Sequence, residues 1–144
     1  MAASDAKLRE VLTNARTIAV VGLSARPERD SNEVARYLRS QGYRIVPVNP
    51  LLPEVLHERS YPSLSAIPPE IRIDIVDIFR RSDLVPPVVD EAIARRVPVV
   101  WMQLGVEHPA AAAKARAAGL TVFENVCTMA QHRRLNLPPV GAAI

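Results

Sequence analysis

Residues 17–50 read TIAVVGLSARPERDSNEVARYLRSQGYRIVPVNP, and this stretch decides the fold. Its first five residues, Thr17 to Val21, are uncharged and largely β-branched, the pattern of a strand covered on both faces of a parallel sheet. Gly22 ends that run, because a residue without Cβ can turn sharply and let another group approach its backbone. The polar residues 23–29, with Pro27 among them, predict a loop. Asp30 and Glu33 have the spacing of a capping box and predict a helix start. Val34, Tyr37 and Leu38 then fall at i, i+3 and i+4 and give the helix one apolar face. Gly42 is placed to end it in a left-handed cap. Residues 43–48 predict a second strand, stopped by Asn49 and Pro50. The result is a βαβ unit, in which the open N–H groups and positive end of the helix face whatever lies beyond the first strand. An anionic ligand is favoured there, with Ser24, Arg26, Arg29 and Ser31 as candidate donors.

Outward from this unit the same alternation continues. Residues 5–16 predict an amphipathic helix with Leu8, Val11 and Leu12 on one face. Residues 51–60 have no clean period and contain Pro53, so they predict a loop. Ser63 is placed to cap a single turn through Ile67. Residues 71–79 have strand character. Val85, Val88, Val89, Ala92 and Ile93 repeat at helical spacing behind Pro86 and Pro87, which fit only a first helical turn. Residues 97–104 predict a fourth strand ending at Gly105. His108 and Pro109 open an alanine-rich helix that Gly119 closes, residues 120–123 predict a fifth strand, and residues 127–135 a last short helix. The tail past Pro138 and Pro139 is expected to be loose. Strands alternating with helices predict a Rossmann-like, doubly wound parallel sheet of about five strands with helices on both faces. We expect one domain over residues 1–144, with its core in residues 8–135. Ligands of such sheets lie over the carboxyl ends of the strands, where strand order reverses. That rule gathers Gly22, Leu23, Ser24, Asn49, Pro50, Phe79, Arg80, Gln103, Leu104, Gly105 and Asn125 into one neighbourhood.

Composition narrows the function. The formal charge is +3 and the isoelectric point near 9.5, with the cations dispersed and aromatic residues only 4% of the chain. A base-stacking platform for nucleic acid is therefore not expected. No apolar run approaches a membrane span, and the first residues, MAASDAKLRE, lack the apolar core of an export signal. Cys127 is the sole cysteine, which leaves no internal disulfide or cysteine-based zinc cluster. A cytoplasmic location is the expectation.

A nicotinamide dinucleotide would call for G-x-G-x-x-G and an acidic residue closing the second strand. Here Gly22 is followed by Leu23-Ser24-Ala25-Arg26-Pro27 and the second strand ends in Val48-Asn49-Pro50, so both features are missing. The arginine-bearing loop suits a ligand with additional phosphate charge. Taken in order, VVGLSARPERDSNEVARYL, GYRIVPVNP, DIVDIFRR, VVWMQLGV and ENVC…QHRRL resemble the small bacterial and archaeal CoA-binding proteins. That family is similar to the N-terminal CoA-binding domain of the succinyl-CoA synthetase α subunit. The resemblance covers residues 8–135. It implies coenzyme A held across the strand edge, with Gly22, Leu23, Ser24 and the helix start at Ser31 around its phosphates. It also implies Asn49, Pro50, Phe79, Arg80, Gln103 and Gly105 as walls of the groove. The synthetase loop is richer in glycine than Ala25-Arg26-Pro27, and its phosphohistidine segment has no counterpart here, so a complete acyl-CoA ligase is not expected. The implied partner is CoA or an acyl-CoA, with neither nucleic acid nor membrane, and a homodimer or protein partner left open.

Candidate chemistry is sparse. Cys127 and His132 could form a thiolate–imidazole pair, but five residues is far from one helical face, so a small buried thiol and a helix-end histidine are the reading. Asp74 and Asp77, an odd number apart on a strand, point to opposite faces and are expected as strand-end or surface charges. His57 and His108 have no metal-ligand spacing, and Trp101 and Met102 are expected in the core. A CoA-binding module without catalysis is the first expectation. The alternative is an NAD(P)-linked or CoA-thioester-processing enzyme.

Overall fold

The computed structural model describes residues 4–141. Five strands form one parallel sheet: β1 (Thr17–Val21), β2 (Arg44–Val48), β5 (Ile75–Ile78), β6 (Val99–Met102) and β7 (Thr121–Phe123), in the order β2-β1-β5-β6-β7. The register aligns Val21 with Val48 on one side and with Ile78 on the other. Strand order reverses between β1 and β5, which makes their carboxyl ends the topological switch point.

Both faces of the sheet are covered, which is why its strands are mostly apolar rather than alternating. One face, including Ala19, Val21, Val76, Ile78 and Val100, packs on α3 (Val85–Ala94) and α4 (Pro109–Ala117). The other, including Ile18, Val20, Ile75 and Trp101, packs on α1 (Asp5–Asn14), α2 (Asp30–Ser40) and α5 (Thr128–Arg134). Ser63 caps a 3₁₀ turn, Leu64–Ala66, by accepting from the Ala66 amide. Trp101 and Met102 are fully buried. The Rossmann-like α/β fold expected from the sequence is the one observed.

Four local expectations are corrected. The capping box does not form: Arg29 is the N-cap of α2 without a side-chain cap bond, and Asp30 is already helical. The 51–60 loop contains a hairpin, β3 (Glu54–Val55) and β4 (Glu58–Arg59). Its turn residues Leu56 and His57 have φ of 54° and 63°, a primed-turn geometry usually signalled by Asn or Gly. The chain after it returns along β2, with Tyr61 donating to Pro47 O and accepting from the Asn49 amide, so the β2 edge is covered. The third strand starts at Ile75 rather than 71, because Asp74 Oδ2 accepts from the Arg16 and Thr17 amides at 2.9 Å and sets where the ladder begins. Finally, the tail is docked. Val140 is buried and its amide donates to Gln41 O at 2.7 Å.

That docking depends on Gly42, which has φ +98° and whose Cβ would lie 1.9 Å from Val140 O. Gly42→Ala is expected to cost about 2–3 kcal/mol, combining left-handed strain with tail displacement. In protein truncated after Leu137 only the strain remains, so urea unfolding should show a smaller penalty there.

Candidate functional site

The switch point is built by close backbone approach. Gly22 has φ +89°, and a Cβ there would stand 2.5 Å from Phe79 O and 3.1 Å from Arg80 Cδ. The turn after β1 therefore lies directly against the turn after β5, and only glycine fits. Leu23 is fully buried and anchors the loop. Ser24 is held from three sides: its amide donates to Ser31 Oγ at 3.0 Å, its carbonyl accepts from Asn32 Nδ2 at 2.8 Å, and its Oγ accepts from the Arg26 amide at 3.1 Å. Arg36 continues the clasp, donating from Nε to Asn32 Oδ1 and from Nη2 to Pro27 O. Asn49 Nδ2 donates to Leu23 O at 3.0 Å while its Oδ1 accepts from the Leu51 amide. This ties the turn after β2 to the turn after β1.

The Ser31 oxygen thus accepts from the loop while its hydrogen is left to donate, and backbone amides are open beside it. The amides of Ala25, Asp30 and Ser31 have no acceptor among the described residues. The last two lie in the first turn of α2, where the helix dipole adds positive potential. Arg26 pairs with Glu28 at 3.3 Å in the open. Arg29 and Arg80 have no ion pair among the described residues, and Arg80 lies over Gly22. Pro50 and Leu51 are exposed beside this turn, as is Leu104 after β6.

Gly105 has φ +86° and open space where a Cβ would stand, and its amide donates to Asn125 Oδ1 at 2.7 Å. The Gln103 side chain turns inward. It is 2% exposed, and its Nε2 donates to Asp77 Oδ1 at 2.7 Å and to Thr128 Oγ1 at 2.8 Å. As a wall of the groove, Gln103 offers backbone only. Asp77 was expected at a strand end or surface and is instead completely buried in the centre of the sheet. Burial pushes its carboxyl up to about 7, opposed by the hydrogen bonds from Gln103 and Thr128. The sequence reading also passed over Asn32, Arg36 and Thr128. The i, i+4 spacing of Asn32 and Arg36 was the signal for the first two.

The thiolate–imidazole pair does not assemble. Cys127 is the N-cap of α5, and His132 Nδ1 bonds the Tyr37 hydroxyl at 2.7 Å, with its Nε2 unpartnered. His108 caps α4 through Nδ1. No cluster of three His, Cys, Asp or Glu among the described residues could hold a metal. A depression of about 1270 Å³ runs along the free edge of β7 between Leu8 and Arg116, and of the residues gathered at the carboxyl edge only Asn125 lines it. It is the gap left where the sheet ends, bridged by the Arg134–Asp5 and Arg116–Glu124 pairs. The open amides lie at the switch point instead.

This arrangement defines a doubly wound α/β fold whose strand order reverses between β1 and β5. Residues 16–133 match the family described as the CoA binding domain, and the chain belongs to that family. It is 39% identical over 129 residues to the "Uncharacterized protein YneT" of Bacillus subtilis (strain 168), covering 90% of this chain and 94% of that one. A hypothetical protein from Pyrococcus horikoshii OT3 superposes with a TM-score of 0.90 at 41% identity, over 94% of both chains. The dinucleotide-forming acetyl-coenzyme A synthetase 1 of Ca. Korarchaeum cryptofilum, solved with phosphate and ADP, superposes with a TM-score of 0.71 at 26% identity, over 81% of this chain but 27% of that one. The family resemblance drawn from the sequence motifs is borne out. No helix among the described residues is long and apolar enough to cross a membrane.

Proposed function

We propose that this protein binds coenzyme A or an acyl-CoA across the carboxyl edge of its sheet, as a single domain and without chemistry of its own. The observation that carries this reading is the pair of open amides at Asp30 and Ser31, facing a turn that Gly22 and Ser24 hold rigidly in place. A diphosphate has the charge and acceptors that such a helix start favours. Arg29 and Arg80 are the cations free to meet further phosphate oxygens, and Arg26 could join them by leaving Glu28. Asn49, Pro50 and Phe79 would wall the groove, with the backbone of Gln103 and Gly105 at its far end. Leu51 and Leu104, 86% and 72% exposed, offer apolar surface to the adenine or the pantetheine arm. Catalysis is not part of the reading because Cys127 and His132 do not pair and Asp77 is enclosed.

Calorimetric titration with CoA, dephospho-CoA, NAD and NADP tests the proposal. CoA is expected to bind tightest. Arg29→Ala should weaken CoA about tenfold, the scale of one charge-assisted hydrogen bond. Arg26→Ala should do less, since that side chain is already paired. Both losses should be smaller with dephospho-CoA, which lacks the 3′-phosphate. Tighter binding of NAD than of CoA would overturn the reading.

A further inference from the structure

Asp77 is the only fully buried carboxylate among the described residues, and no cation accompanies it. It sits two residues before Phe79, and its register partners are Val20 on β1 and Trp101 on β6, both apolar. Its polar neighbours are Gln103, from the turn after β6, and Thr128, the first residue of α5. The three side chains form a closed triangle. Gln103 Nε2 spends both hydrogens, one on Asp77 Oδ1 and one on Thr128 Oγ1. The Thr128 hydroxyl then donates to Asp77 Oδ2 at 3.2 Å. Every donor has an acceptor only while the carboxyl is ionised. A proton on Oδ2 would take over the Thr128 oxygen and leave the threonine hydrogen without a partner, a costly state in an enclosed site. Burial pulls the other way, because an ionised carboxylate without a cation is expensive in the interior. The two demands nearly balance around neutral pH.

We infer that Asp77 is a positioning residue whose protonation is linked to anionic ligand binding at the carboxyl edge of the sheet. This rests on the reading of that edge as the CoA site. A diphosphate settling over the ends of β1 and β5 adds negative charge above a carboxylate with no counter-ion, which favours its neutral form. By linkage, an anionic ligand binds with proton uptake and binds tighter as pH falls through neutrality. The coupling reaches the site through Gln103, which leads into Leu104 and Gly105, and through the start of α5.

Other titratable groups on this side of the sheet are Cys127 and His132 on α5 and Tyr37 and Tyr43 on and after α2. Burial holds His132 below its ordinary value, whereas Tyr43 is pushed up to about 12. The charged side chains of α2 and α5, among them Glu33, Arg36, Arg133 and Arg134, lie at the solvent side, as do those of α1.

The test uses dephospho-CoA, whose diphosphate has no ionisation near neutrality, titrated at several values between about pH 6 and 8. Wild-type affinity should rise about threefold or more towards the acid end, the size expected of one screened interaction between like charges. In Asp77→Asn the affinity should be level with pH. Titrations of wild-type protein in buffers of different ionisation enthalpy should show fractional proton uptake at pH 7 and none at pH 9, so the linkage can be read without any variant. Thr128→Val, which removes a donor to the carboxylate, should move the affinity change to higher pH. A wild-type pH profile that Asp77→Asn reproduces, or binding without proton uptake at pH 7, would overturn the linkage while leaving CoA binding intact. Failure of every CoA compound to bind would overturn both.

Discussion

Gly22→Ala is expected to lose about 3–4 kcal/mol of stability, a large share of what a domain this size possesses. Two causes add. Left-handed φ at a residue with a side chain costs about 1–3 kcal/mol, and Gly22 sits at +89°. The new methyl would also lie 2.5 Å from Phe79 O. That carbonyl cannot retreat easily, since the Phe79 amide donates to Val21 O at 2.8 Å and extends the β1–β5 ladder. Gly105 supplies the control. Its φ is +86°, yet nothing stands within 4 Å of its missing Cβ, so Gly105→Ala should show only the conformational cost of about 1–2 kcal/mol. Urea unfolding followed by fluorescence of Trp101, the sole tryptophan, compares the two. Equal losses would mean that β1 and β5 do not meet as tightly as the structure has them.

Asp77→Asn is expected to make the protein more stable at pH 8 and to change the sign of its pH dependence. The Asp77 carboxyl rises from 3.8 to about 7 on folding. Between those values the folded protein holds a proton that the unfolded chain has released, so stability falls as pH climbs from 4 towards 7 and levels off above it. At 1.36 kcal/mol per pH unit the whole span is worth about 4 kcal/mol at most, less whatever internal relaxation recovers. Asparagine carries no charge to bury and should recover part of this, about 1–3 kcal/mol at pH 8. His132 acts in the opposite sense. Its folded value lies below 6.5 because of burial, so its contribution is lost as pH drops beneath 6.5. With Asp77 removed, stability should therefore rise with pH up to that point and then stay level. Denaturation midpoints of both proteins at pH 5, 6.5 and 8 check this. A variant less stable than wild type at pH 8, with an unchanged slope, would contradict the assignment.

The βαβ unit was legible because its signals agree with one another. A β-branched run, a glycine, a helical apolar face and Gly42 all require the same path through residues 17–48. What the sequence reading missed elsewhere was hidden for identifiable reasons. The sequence reading sent Asp74 and Asp77 to opposite faces, but in a central strand covered on both sides either face is interior, so spacing alone could not expose a charge. Asp74 escapes by lying one residue outside the strand. The hairpin escaped notice because Leu56 and His57 adopt left-handed conformations without the usual Gly or Asn. Ser31 was read as a ligand donor from its place at a helix start. Its oxygen also accepts from the Ser24 amide seven residues back, and only the loop path reveals that. The tail was judged by its prolines, whereas Val140 is drawn in by the space that Gly42 leaves.

The central claim is that a CoA compound settles where β1 and β5 part. A crystal structure with CoA bound tests it most directly. We expect the diphosphate against the Asp30 and Ser31 amides, with Arg29 or Arg80 on a phosphate oxygen and the pantetheine arm passing Phe79 towards Gly105. CoA lodged along β7, with the Gly22 turn empty, would contradict it.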